Sequence, residues 1–149
     1  MPYTRCATIA VLCGLALAGC STSTAPQKPL PPLLAHATGN GGWLFGCPAI
    51  SNNAHALTAT RSPASPEITQ RLRQQFPPGT AEADLTRLLA DEGFDAPLAC
   101  EADSSIRHAH FFQKGTGFLP YDANADVFWK VDADGRIVWA QGGIFYQGL

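Results

Sequence analysis

Apolar positions along this chain fall into three spacings, and each spacing predicts a different element. From Cys6 to Gly19 the run "CATIAVLCGLALAG" is apolar or small throughout apart from Thr8, a continuous stretch of fourteen residues. Between Ser65 and Gly93 the apolar residues recur every three or four positions. Ile68, Leu72 and Phe76 make one stripe while Gln70, Arg71, Arg73 and Gln74 stay polar, and Leu85, Leu88 and Leu89 make a second. This is the period of amphipathic helices. After Ile106 the period drops to two: "SIRHAHFFQK" alternates Ile106, His108, His110 and Phe112 with Arg107, Ala109, Phe111 and Gln113, and "DVFWKV" groups Val127, Trp129 and Val131. Alternation of this kind predicts strands.

Punctuation sets the boundaries. Ser65 is placed to cap the first helix, with Pro66 in its first turn and Glu67 near the positive end of the dipole. Pro77 and Pro78 stop that helix, Gly79 turns, Thr80 is placed to cap the second, and Glu82 and Asp84 make its first turn acidic. Gly93 closes the second helix before Phe94. "DADG" between "FWKV" and "RIVWA" reads as a hairpin turn with Gly135 in a left-handed position. The final "GGIFYQGL" extends or bends the last strand. The expected class is α+β: two N-terminal helices packed on one face of a small antiparallel sheet of about three strands, spanning residues 66–149.

The N-terminal run is too short for a membrane span, which needs about twenty residues. With Arg5 ahead of it, it reads as the h-region of an export signal. The run ends in Leu17-Ala18-Gly19-Cys20, and the polar "STSTAPQKPLPP" comes directly after the cysteine. This resembles the lipobox of bacterial lipoproteins, which implies a signal peptide over 1–19 and an acylated Cys20 as the mature N-terminus. Ser21 in place of an aspartate implies, on the same resemblance, sorting to the outer membrane with the domain facing the periplasm. Three acyl chains would exceed the two signals that stable anchoring requires.

That address changes the reading of composition. The chain has 149 residues, five cysteines and a formal charge of −2. Removing residues 1–19 takes away Arg5 and no acid, leaving nine basic against twelve acidic side chains, or −3. Scattered, outnumbered basic residues point away from nucleic acid. Cys6 and Cys13 leave with the signal and Cys20 carries lipid, so Cys47 and Cys100 remain. In an oxidising compartment the expectation is a Cys47–Cys100 disulfide, the alternative being two separate buried thiols. Closing that loop would remove on the order of 4 kcal/mol of unfolded-state freedom.

Residues 20–41 carry Pro26, Pro29, Pro31 and Pro32 amid Ser, Thr and Gly, which predicts an extended tether that buries little. Residues 42–65 hold Trp43, Leu44, Phe45 and Ile50 and then a loop-like "SNNAHALTATRSPASP". They read as a loosely structured strap stapled through Cys47.

The stretches "FPPGTAEADLTRLLADEGF" and "VFWKVDADGRIVWA" together resemble the small periplasmic lipoproteins of the SmpA/OmlA and BLIP-like superfamily. The resemblance covers residues 66–141 and is closer to uncharacterised proteobacterial lipoproteins with an "FP-x-G-T…L…L…GF…W-x-V…G-x-I" pattern. It implies the same two-helix, one-sheet fold. The chain departs from the outer-membrane assembly subunit of that group at "EGFDAPLACEADSS", which replaces a brief Gly-x-Pro link.

Candidate chemistry is thin. His108 and His110 share a strand face at a spacing that chelates Zn or Cu when a third ligand approaches, but two histidines on a sheet face are the plainer reading and no metal or cofactor is expected. Asp122, Asn124 and Asp126 match positions 1, 3 and 5 of an EF-hand loop, yet Val127 and Ala133 stand where it needs Gly and Glu. Asp132 and Asp134 read as turn residues that accept local backbone hydrogen bonds. No G-x-S-x-G, H-E-x-x-H or G-x-x-x-x-G-K-[ST] occurs, so no catalytic residue is assigned and an enzyme is not expected. Two binding roles remain. One is an envelope scaffold docking a periplasmic or outer-membrane protein, with Trp43, Trp139, Phe145 and Tyr146 as exposed anchors unless they fill the core. The other is an inhibitor or immunity lipoprotein whose 115–124 loop, "GTGFLPYDAN", enters the cleft of a toxic hydrolase.

Overall fold

A computed structural model describes residues 28–39, 47, 65–101, 103–115 and 121–148. The signal, Cys20, Trp43 and most of the strap lie outside the described residues. Two helices, α1 (Pro66–Gln75) and α2 (Glu82–Asp91), precede four strands: β1 (Leu98–Ala99), β2 (Ile106–Gln113), β3 (Tyr121–Val131) and β4 (Ile137–Gly148). The strands form one antiparallel sheet in the order β1-β2-β3-β4. The α+β class is therefore observed, with a fourth strand added to the expected three. It is the two-residue β1, inside the segment read as a link, and it is too short to show a period of its own.

The helix stripes bury as the spacing requires. Ile68 and Leu72 of α1 and Leu85 and Leu89 of α2 are fully or almost fully buried, with Phe76 close behind. They meet the face of the sheet formed by Ala109 and Phe111 of β2, Ala123, Ala125, Val127, Trp129 and Val131 of β3, and Ile137, Ala140 and Ile144 of β4. Gly142 lets α1 approach β4, since a Cβ there would lie 2.5 Å from Ile68 Cγ2. Gly93 ends α2 at φ +88°, and the Phe94 N–H reaches back to the Leu89 carbonyl, a Schellman-type closure. The hairpin turn lies where expected, with Asp132 as the accepting carboxylate and Asp134 as a backbone donor to it. Gly135 sits at φ +70° and Asp132 Oδ1 accepts the N–H groups of Asp134 and Arg136.

Three expectations are corrected. The predicted tether is not free of the core: Leu33, Leu34 and Ala37 are 2%, 0% and 5% exposed and belong to the main cluster. A hydrogen-bonded turn from Pro31 to Ala35 presents these side chains. Charged groups on and just after the helices then hold the backbone, with Arg71 Nη1 donating to the Leu33 carbonyl and Glu92 accepting the Leu33 N–H. Secondly, Ser65 occupies the N-cap position of α1 but does not cap it. Its buried hydroxyl donates to the Thr38 carbonyl and accepts the Ile144 N–H instead. Thirdly, the N-cap of α2 is Ala81, and the Thr80 hydroxyl bonds the Pro77 carbonyl behind it.

Those contacts close the outer edge of β4. Ser65 donates its N–H to the Gly142 carbonyl, Gly79 donates to the Ile137 carbonyl, and Ile137 donates to Thr80. An edge occupied in this way is a poor template for another strand.

Candidate functional site

The face of the sheet opposite the helices is built from the other set of alternating residues. Register places them in rows. Ile106, Lys130 and Trp139 form one; Leu98, His108, Phe128 and Gln141 the next; then His110, Asp126 and Gly143; then Phe112, Asn124 and Phe145. The predicted alternation in β2 thus holds, with Ala109 and Phe111 turned to the helices and the two histidines to the opposite side.

Apolar groups fill the centre of this face. Phe128 and Ile106 are 6% and 4% exposed, and Cys100 is 3%, yet none belongs to the cluster under the helices. The Cys100 N–H bonds the Ile106 carbonyl, continuing the β1 to β2 ladder, so Cys100 shares their side. Cys100 and Cys47 form a disulfide with Cα atoms 5.4 Å apart, across a sequence separation of 53. The expected pairing is therefore observed.

Polar groups flank this centre. The His110 and Asp126 side chains meet at 3.1 Å between Nδ1 and Oδ1, with 31% and 16% of each exposed. Burial pushes the Asp126 carboxyl above its ordinary range, against the opposing pull of the His110 hydrogen bond and of the charges of His110 and His108. His108 stacks on Phe128, ring centres 5.7 Å apart and planes within 20°. Among the described residues, His108 Nδ1 and Gln141 Nε2 are buried without a hydrogen-bond partner. At the rim, Lys130 Nζ lies 3.2 Å from Asp103 Oδ2, and Ser105 donates its backbone N–H and hydroxyl to Asp103 Oδ1. The Ser105 groups, and then Lys130, hold the Asp103 carboxyl below the usual range.

The two histidines accordingly have separate engagements, one with a carboxylate and one with a ring. Among the described residues no group of three or more His, Cys, Asp or Glu side chains is placed to hold a metal ion. Asp122, Asn124 and Asp126 are on β3, not in a loop, and Asp122 accepts the Gly115 N–H. An extended strand points its alternate side chains the same way but cannot wrap them round one ion. Tyr121 to Asn124 of the expected inserting loop are strand as well, and residues 116–120 lie outside the described residues.

Of the four aromatic anchors, Trp139 and Phe145 are half-buried on the helix-free face and not fully exposed. Tyr146 is 37% exposed on the other side, its hydroxyl bonded to the Ala37 carbonyl at 3.0 Å. Leu98 and Phe112, at 62% and 55%, are more exposed than any of these. The alternation marked Phe112 as sharing the histidine face; Leu98, in a two-residue strand, left no such signal. The opposite polar cluster, where Glu82 Oε1 lies 2.9 Å from Trp129 Nε1 and 2.8 Å from Arg107 Nε, ties the first residue of α2 to β3 and β2 and serves the fold. Among the described residues no helix is long and apolar enough to cross a membrane. No family model matches the chain, and neither the curated proteins nor the solved structures contain a match.

Proposed function

We propose that the chain is a lipid-anchored envelope protein, held at the outer membrane through Cys20, whose helix-free sheet face binds a periplasmic or outer-membrane protein. The observation that carries the binding role is the concentration of unfavourable features in two adjacent rows. His108 Nδ1 and Gln141 Nε2 are buried and unpaired, and the neighbouring Asp126 is a desolvated carboxyl. A buried polar atom left without a partner costs about 1–3 kcal/mol, and two of them share one row of this face, beside the row of Asp126. Half-exposed Trp139 and exposed Leu98 supply the apolar contacts a partner would cover. The anchoring role rests on Leu17-Ala18-Gly19-Cys20, and the Cys47–Cys100 disulfide agrees with an oxidising compartment.

The test is co-purification from detergent-solubilised envelopes with three forms of the full chain. A partner retained by the wild type and by Arg73→Ala, a change on the helical side, but lost from Leu98→Asp is the expected result. Equal recovery with all three forms would remove the face from the account. Assembly machinery as the partner supports the scaffold reading; a secreted hydrolase supports the inhibitor.

A further inference from the structure

The docked N-terminal segment meets one end of the sheet. The Gln113 amide donates to the Lys28 carbonyl at 2.6 Å, fixing residue 28 against the last residue of β2. Lys28, Pro29, Phe111, Gln113 and Asp91 line a cavity of about 170 Å³ at the same place. Exposed aromatic side chains gather at this end. Phe112 is the penultimate residue of β2, Tyr121 opens β3 opposite Gly148, and Tyr146 faces Ala123. They are 55%, 49% and 37% exposed. The hairpin at Asp132 to Gly135 is at the far end of β3, about 35 Å away at a strand's rise per residue.

We propose that this aromatic end of the sheet is a docking surface for the phospholipid bilayer. The inference rests on the proposed lipid at Cys20. From Cys20 to Lys28 there are eight residue steps, which at full extension span about 26–29 Å. That is less than the length of β3, so an anchored protein cannot stand with the 132–135 hairpin on the lipid and the Lys28 end a full strand length above it. Phenylalanine and tyrosine are suited to the headgroup level: the Phe112 and Tyr121 rings would be covered and the Tyr121 hydroxyl would stay wet, while the Tyr146 hydroxyl is held by the Ala37 carbonyl and offers only its ring. Lys28 and Lys114, both exposed at this end, add cations beside the lipid phosphates. The docked segment thus does more than fill the core. By fixing residue 28 at one end of the sheet, it ties the lipid anchor to the aromatic end, and it leaves the upper rows around Leu98 and Trp139 for a protein.

The test uses the full chain purified from membranes and reconstituted in phosphatidylcholine–phosphatidylglycerol vesicles. A benzophenone side chain is placed at Phe112, at Tyr121 or at Asp134, and lipid adducts are counted by mass after illumination, alongside the mass of the N-terminal peptide. With Cys20 acylated, several-fold more lipid adduct at 112 and 121 than at 134 is expected. With Cys20 acylated and equal adduct at all three positions, the docking surface is overturned while the anchor stands. An unacylated Cys20 overturns both.

Discussion

The backbone N–H of Leu33 points at the Glu92 carboxylate, 3.0 Å from Oε2 and 3.3 Å from Oε1. Arg71 takes the carbonyl of the same residue at 2.7 Å, so one residue of the N-terminal segment is gripped from α1 and from the end of α2. The segment is a structural part of the domain, and replacing Leu34, fully buried beside Leu33, by Ala should cost about 2–5 kcal/mol. Urea denaturation checks this. A cost near zero would mean that residues 28–39 do not stabilise the fold.

Gly142→Ala should destabilise by about 1–3 kcal/mol, because the new methyl group would press on Ile68 Cγ2 at 2.5 Å. Combining it with Ile68→Ala removes the obstructing atom. The double variant should then lose less than the sum of the single losses, as read from denaturation midpoints.

Two carboxylates on the same side of the sheet should respond to pH with opposite sign. Asp103 is held below the ordinary range by Ser105 and Lys130, so its contribution is present above that range and is lost as pH falls through the folded-state value. Asp126 is raised by burial, so its contribution is complete below the ordinary range and is lost as pH rises through the folded-state value. Asp103→Asn should flatten the acid limb of the stability profile. Asp126→Asn should remove the loss on the rising limb and leave stability at pH 7 equal or greater. A large loss at pH 7 in Asp126→Asn would show that the contact with His110 outweighs desolvation.

The disulfide joins cysteines 53 positions apart, and opening it should lower stability by about 4 kcal/mol in the chain-entropy account. Denaturation with and without reductant measures this, and the double variant Cys47→Ser, Cys100→Ser should match the reduced protein. Superimposable curves would leave the cross-link without a stabilising role.

Elements set by neighbouring residues were legible in the sequence. The stripes of α1 and α2, the stop at Pro77 and Pro78, the Gly93 terminus and the Asp132 to Gly135 turn each depend on residues within one or two turns of each other. Contacts across long separations were not. Leu33 and Leu34 sit among prolines with no period, and what holds them is Arg71 and Glu92, far along the chain. Ser65 looked like a cap because its neighbours suit one, but a helix start docked against β4 and Thr38 gives its hydroxyl better-placed partners. The site was half visible. His108 and His110 stood out by alternation, whereas the match of Asp126 to His110 requires the register between β2 and β3. The spacing of Asp122, Asn124 and Asp126 matched the start of an ion loop, but Val127 and Ala133 already spoke against one.

The central claim is that a lipid at Cys20 holds this domain at a membrane, and the most direct measurement is the intact mass of the mature N-terminal peptide from purified envelopes. A chain beginning at Cys20 and carrying three acyl chains is the expected result. A peptide beginning at Met1, or an unmodified Cys20, would contradict it.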